Sequence, residues 1–327
     1  MVGTAAPGRT GGLLAVHAHP DDETLATGAL LATWAAAGRP VTVVTCTRGE
    51  QGEVLGAHLA PLRGDGHALA RHREGELDAA LVSLGVRDHL FLDRAGAAQA
   101  GREVRYEDSG MAWLAAGRAG AVEHPPAGAF VAVGVDEAAE RLAQVLRDRR
   151  PDVVVGYEPG GGYGHPDHVH AHRVMMAAVG LAARPSADGA APWRVPAVLW
   201  SVLDADALRA AYRWCARALA GTPGTTSDGG TGVAGLTAPD PEGELPSAAV
   251  EPAAIDLRVP LAPVLPAVLG ALRAHASQVQ AVRVGPAQWP VLFALSNGVL
   301  QPMLATETYR IAHRSSPVRW PSPVRVA

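Results

Sequence analysis

The chain has 327 residues, 48% hydrophobic and 18% charged, with a formal net charge of -4, a balance that suits a globular protein with a sizeable core. It shows no clustered basic footprint for nucleic acid. All 28 basic residues are arginine, which excludes a P-loop lysine and Schiff-base chemistry.

Residues 1–12 are small, and the apolar run after them is too short for a signal-peptide core. No stretch is long and apolar enough to span a bilayer. Cys46 and Cys215 are too few for a disulfide framework, so a soluble, cytoplasmic protein is expected. LLAVHA (13–18) predicts a buried strand, and 22–37 a helix with Asp21 or Asp22 as N-cap and Gly38 past its end. VTVVTC (41–46) predicts a strand, 68–85 an amphipathic helix closed by Gly85, and 89–92 a short strand. Segment 93–134 breaks this rhythm with Gly-rich, polar sequence containing YEDSGMAW, of the kind that is functional or disordered. A helix at 136–149, a strand at 152–157 and a helix opening near Pro166 restore it.

This alternation predicts an α/β fold, a Rossmann-like, mainly parallel sheet with helices on both faces. A strand at 249–258, a helix at 261–276 and a strand at 302–312 add a smaller C-terminal subdomain. The expected division is therefore 1–200 and 201–327, with 221–247 a low-complexity, mobile surface insertion.

Ligands of open α/β sheets bind at the carboxyl ends of the strands, and two predicted strand exits carry His-Pro-Asp: AHPDDE (18–23) and EPGGGYGHPDHVHAH (158–172). Hydrolytic metal sites commonly use two histidines and a carboxylate, with one position open for water. His19 and Asp22, three residues apart across a strand end and a first helical turn, can converge on one point, and His168 closes the set. Asp21 is left beside them as a general base, although spacing alone lets the two aspartates exchange roles. Such donors accept zinc or ferrous iron and bring the pKa of bound water to about 7. His165 can face the same cavity, either as an imidazolium that stabilises an oxyanion or protonates a leaving amine, or as a supporting group behind the ligands. Asp167 either holds the His165 tautomer or caps the helix. His17 and His172 read as hydrogen-bonded or packing groups. The glycines at 160–162 and 164 form no G-x-G-x-x-G, so a dinucleotide role is poorly supported.

AHPDDE and GHPDH resemble the LmbE-like (PIG-L) family of zinc-dependent N-deacetylases. The likeness runs from the first strand to about residue 205 and returns weakly at LRAHASQVQ (272–280). VVTCTRGEQGEVLG (43–56), DSGMA (108–112) and PGGGYGHPDHVHAH (159–172) are similar to the branch that deacetylates N-acetylglucosaminyl-inositol in mycothiol biosynthesis. The resemblance implies one Zn2+ per subunit, or Fe2+ in its place, held by His19, Asp22 and His168, with Asp21 as base and His165 as electrostatic or acid partner. It also implies sugar or inositol contacts from Arg73 and Asp108, a lining role for Met111 near the acetyl group, and Tyr163 as an oxyanion donor. From the residues alone, Arg73 reads equally as a partner of Glu74 or Glu76 on a solvated helix, Asp108 as a turn residue and Met111 as a gap filler. Two rivals stand beside this reading: an amidase of mycothiol S-conjugates using the same machinery, and a non-catalytic metal- or nucleotide-binding α/β protein, against which the spare carboxylate argues. The expected partner is a small amide-bearing sugar, with no nucleic acid and no membrane.

Overall fold

The computed structural model describes residues 11–95, 105–115, 117–186, 189–220 and 235–326. The chain runs β1 (Gly12–His17), α1 (Asp22–Ala36), β2 (Val41–Thr45), α2 (Gly66–Leu84) and β3 (Asp88–Phe91). The hairpin β4 (Ala112–Ala115) and β5 (Arg118–Gly120) follows, then α3 (Val135–Arg149), β6 (Pro151–Tyr157), α4 (Pro166–Ala182), β7 (Ala197–Asp204) and α5 (Ala205–Ala220). The remainder is β8 (Ala249–Val250), β9 (Leu257–Pro260), α6 (Leu265–Ala274), β10 (Gln280–Val284), β11 (Val291–Ala294), β12 (Leu300–Met303), β13 (Thr306–Arg314) and β14 (Arg325–Val326).

Strands β7, β6, β1, β2 and β3 lie in that order, each parallel to the next. From β1 the chain moves outward to β2 and β3, then returns to lay β6 on the other side of β1. The loops leaving β1 and β6 therefore diverge to opposite faces, and the crevice between them is the switch point where such sheets bind ligands.

The period-2 alternation of the strands divides the interior into two cores. Leu13 and Ala15 face one with Val43, Val153 and Leu199, and helices α1, α2 and α6 cover it. Leu14 and Val16 face the other with Val44, Val154 and Val198, under α3 and α4. Strands buried on both faces read as unbroken apolar runs, which is how 13–18 and 152–157 appear in the sequence. Helix α2 ends as its sequence predicts, on Gly85 at φ 77, the left-handed cap that glycine adopts at least cost.

The chain beyond residue 200 does two things. Strands β13, β9 and β14 extend the main sheet in antiparallel fashion, while β10, β11 and β12 form a small antiparallel sheet of their own, packed by α5. The single strand expected at 249–258 is two strands, β8 and β9, parted by a 3-10 turn that opens on Pro252, which has no N–H to give a ladder. Of the insertion at 221–247, residues 221–234 lie outside the described residues. Residues 235–247, expected to be mobile, are instead tied down. Thr237 exchanges backbone hydrogen bonds with Gly298 and Leu300, each 2.9 Å, Leu236 packs against Cys215 and Leu292, and Arg209 donates to the carbonyls of Pro241 and Gly243. Among the described residues no helix is long and apolar enough to cross a membrane.

Candidate active site

Past the end of β1 the backbone turns sharply. Asp21 sits at φ 117, ψ -33, a region L-residues seldom occupy unless their surroundings over-determine it. Its carbonyl accepts from Thr24 and Leu25, both at 3.0 Å, and so opens α1. The Asp22 carboxylate does not cap the helix. It folds back, and its Oδ2 accepts the His19 N–H at 2.8 Å. On the other wall, the turn Gly161–Gly164 leads into His165, the N-cap of α4, with Pro166 in the first turn, where a missing N–H costs nothing. Gly161 has φ +70, and a Cβ there would stand 2.7 Å from the Val169 nitrogen and 2.9 Å from the His168 Cβ, so this close approach requires glycine.

These two turns bring three donor groups together. His19 Nδ1 lies 3.3 Å from Asp22 Oδ2 and 3.3 Å from His168 Nε2, and His168 Nε2 lies 3.4 Å from Asp22 Oδ1. With metal–ligand distances of about 2.0–2.2 Å and tetrahedral angles, neighbouring donors are roughly 3.3–3.6 Å apart. The outer nitrogens are also provided for. His168 Nδ1 faces the Gly161 carbonyl at 3.1 Å, and His19 Nε2 faces Asp167 Oδ2 at 3.2 Å with Asp108 Oδ1 at 3.5 Å. An acceptor behind each imidazole fixes the tautomer that presents a lone pair inward, the arrangement found behind metal-bound histidines. Burial opposes charge on His19, but Asp108, Asp167 and Asp22 outweigh it and hold the imidazole well above its ordinary pKa; the same negative field suits a dication. His165 gathers with the same two imidazoles. The donor set therefore fits a divalent metal.

The remaining predicted residues surround this point. Asp21 Oδ2 accepts from Arg73 Nη2 at 3.2 Å. Burial pushes the Asp21 carboxyl up to about 6, against the pull of Arg73 and with help from Asp22. Arg73 is no solvated helix residue: it is 3% exposed, pairs with neither Glu74 nor Glu76, and donates to the carbonyls of Pro20 (2.5 Å) and Gly49 (2.9 Å). Its buried Nε has no partner among the described residues. Asp108 is held by the Gly110 and Gln51 N–H groups, and His19 keeps its carboxyl well below the usual range despite burial. Tyr163 stands edge-on to His168, with ring centres 5.2 Å apart, and stacks on Trp113. Met111 is half-buried at the foot of the β4–β5 hairpin.

Two expectations need correction. His165 is not an imidazolium: burial, with His19 and His168 nearby, pulls it down to about 2. Its Nδ1 accepts the Asp167 N–H at 3.2 Å, which leaves the proton on Nε2. The tautomer is therefore set by the backbone of Asp167, while the Asp167 carboxylate serves His19 and accepts from the N–H and hydroxyl of Ser109. His17, bonded through Nε2 to Thr27, and His172, bonded to the Tyr157 carbonyl, take the non-ligand places expected of them.

Four groups escaped the sequence reading. Tyr157 lies flat on His168, with ring centres 4.2 Å apart, and its hydroxyl accepts from Ala18 and bonds Asp22. Glu158 gathers the N–H groups of Gly160 and Gly162 and the Ser247 hydroxyl. Glu23 and His275 form a fully buried pair at 2.8 Å. As the last residue of a strand exit, Tyr157 could have been suspected; His275 lies in the LRAHASQVQ stretch, but nothing local pointed to its meeting with Glu23 across 252 positions.

The family model described as GlcNAc-PI de-N-acetylase, PIG-L, matches residues 14–179, a span that contains all of these turns up to α4. Among curated relatives, a protein of Kineococcus radiotolerans is 44% identical over 92% of this chain and 77% of its own length. One of Nocardia farcinica is 46% identical, covering 92% of this chain and 89% of its own. Both carry the name 1D-myo-inositol 2-acetamido-2-deoxy-alpha-D-glucopyranoside deacetylase. The chain belongs to the PIG-L family. The PIG-L match ends within α4, so the C-terminal strands and the Glu23–His275 contact draw on sequence beyond it. A relative of Streptomyces avermitilis with the same name, 41% identical, covers 93% of this chain and 94% of its own.

Proposed function

We propose that this PIG-L protein is a metal-dependent deacetylase that hydrolyses the acetamide of N-acetylglucosaminyl-inositol, giving acetate and glucosaminyl-inositol for mycothiol biosynthesis. The observation that carries the chemistry is the convergence of His19 Nδ1, Asp22 and His168 Nε2 at 3.3–3.4 Å, with both outer imidazole nitrogens facing acceptors. The substrate is supported by the shared name of relatives 41–46% identical over most of the chain. Cys46 and Cys215 are buried free thiols, which supports a reducing, cytoplasmic setting.

His19, Asp22 and His168 hold the ion, zinc or ferrous iron. When bound, it supplies a Lewis acid for the carbonyl and lowers the pKa of water to about 7. Asp21 accepts the proton of the attacking water, with its carboxylate kept in place by Arg73. His165 Nε2–H and the Tyr163 hydroxyl donate to the oxyanion that develops on the acetamide, preorganised by burial before the charge appears. The carbon–nitrogen bond breaks as the nitrogen takes up the proton that Asp21 had accepted, and acetate and the amine depart. Arg73 and Asp108 contact the sugar or inositol hydroxyls, and Met111 lines the acetyl side.

Amine release from N-acetylglucosaminyl-inositol by zinc-loaded protein, with a mycothiol S-conjugate in parallel, tests the assignment. Turnover of the first with little of the second is expected. The reverse makes the protein an S-conjugate amidase, and release from neither overturns the substrate.

A further inference from the structure

The base proposed above sits in a backbone conformation that its own side chain does not explain. Asp21 has φ 117, and such a strained conformation persists only where contacts on several sides impose it. One side is Arg73, which donates both to the Asp21 carboxylate and to the Pro20 carbonyl. The other is Glu23. Its Oε2 accepts the Asp21 N–H at 2.9 Å, and its Oε1 accepts from the Thr24 hydroxyl at 2.5 Å and from His275 Nε2 at 2.8 Å. Glu23 and His275 are both 0% exposed, and a carboxylate so buried persists only when its oxygens are bonded.

His275 is delivered from far along the chain by rigid parts. It caps α6, which packs on α1 and α2. Its carbonyl accepts from Gln278 and Val279, and the next turn is fastened by Ser277, whose N–H and hydroxyl reach Glu76 of α2 at 2.7 and 2.6 Å. The outer nitrogen of His275, Nδ1, has no partner among the described residues, so Glu23 alone orients the ring by hydrogen bonding. Neither Glu23 nor His275 contributes to the donor set of the metal.

We propose that His275 is the positioning residue of Asp21: by holding the Glu23 carboxylate, it keeps the Asp21 backbone turned so that the carboxylate meets the attacking water. The proposal rests on the reading of Asp21 as base. The C-terminal segment thus completes a reaction centre otherwise built within residues 14–179, the part that matches the family model.

Kinetics and metal content of zinc-loaded variants test this. His275→Leu is expected to lower kcat about 10²-fold with KM nearly unchanged, because it removes alignment of the base and not substrate binding. His275→Gln, whose side-chain amide donates in the place of Nε2, is expected to recover most of that loss. All variants should retain one zinc per chain. Ser277→Ala, which loosens the same loop without touching Glu23, is expected to lower stability and leave kcat near wild type. In a Glu23→Gln background the His275→Leu effect should largely vanish, the non-additivity of residues acting through one contact. Wild-type kcat in His275→Leu, no recovery with glutamine, or an equal loss in Ser277→Ala overturns the proposal. Should His275→Leu fail to fold, His275→Gln against Glu23→Gln decides it: the proposal requires the first to be the more active and is overturned if it is not. Asp21→Asn separates the two levels. Full activity in that variant removes the base reading and the positioning role with it, whereas an inactive Asp21→Asn beside a fully active His275→Leu removes the positioning role alone.

Discussion

Two loops close on the reaction centre from opposite faces of the sheet, and both are fastened by the same device. In the loop 105–110, Ser109 gives its N–H and hydroxyl to the two oxygens of Asp167; in the loop 275–278, Ser277 gives the same pair to Glu76. All four residues are buried, none more than 7% exposed. The difference lies in what each carboxylate does next. Asp167 also takes His19 Nε2, so the first loop is locked onto the imidazole proposed as a metal ligand. Glu76 reaches no residue of the site. The second loop is anchored to the scaffold and acts at a distance, through His275 and Glu23 on the backbone of Asp21. Under the roles proposed above, one fastening orients a metal ligand and the other orients the base.

Substitutions that separate these roles should separate metal binding from turnover. The largest effect is expected at the end point of the second loop: Asp21→Asn should lower kcat by about 10²–10⁴-fold, as loss of a general base does, while zinc content stays at one per chain. Steady-state kinetics with elemental analysis checks both halves. On the first loop, Asp167→Asn weakens the acceptor behind His19 and should weaken zinc binding about 10–100-fold, read by competition with a chelator. If it lowered kcat at saturating zinc and left affinity intact, the two loops would not divide the work as described. The smallest contrast is between the serines. Ser109→Ala and Ser277→Ala should each cost about 1–3 kcal/mol of stability, the penalty for a buried carboxylate losing a donor, measurable by denaturant titration. Only Ser109→Ala should also shift zinc affinity.

The sequence displayed the parts of this arrangement that are local. Alternating apolar runs and capped helices foretold the α/β sheet, because burial on both faces leaves an unbroken hydrophobic signature. His-Pro-Asp at two strand exits marked both walls of the crevice, because metal donors three residues apart across a turn converge by geometry alone. Arg73 was ambiguous because helical spacing offers Glu74 and Glu76 as partners, and nothing local reveals that its face is buried against Pro20 and Gly49. Adjacency offers Asp167 only His165 or the helix cap, whereas its carboxylate crosses to His19, 148 positions away. The meeting of His275 and Glu23 was illegible for the same reason: although both lie in quoted stretches, their contact depends on the packing of α6 over α1 and α2, a tertiary fact with no sequence period. The strand order that makes β1 and β6 neighbours, and so creates the crevice, is likewise set by the crossover from β3 and not by any single strand.

The central claim is that His19, Asp22 and His168 hold one catalytic ion beside Asp21. Its most direct test is amine release from N-acetylglucosaminyl-inositol as zinc is titrated into chelator-stripped protein. The account predicts no turnover without metal, a linear rise to one equivalent per chain, and no such rise in His168→Ala at the same zinc. Turnover that ignores both chelation and the loss of His168 would contradict it.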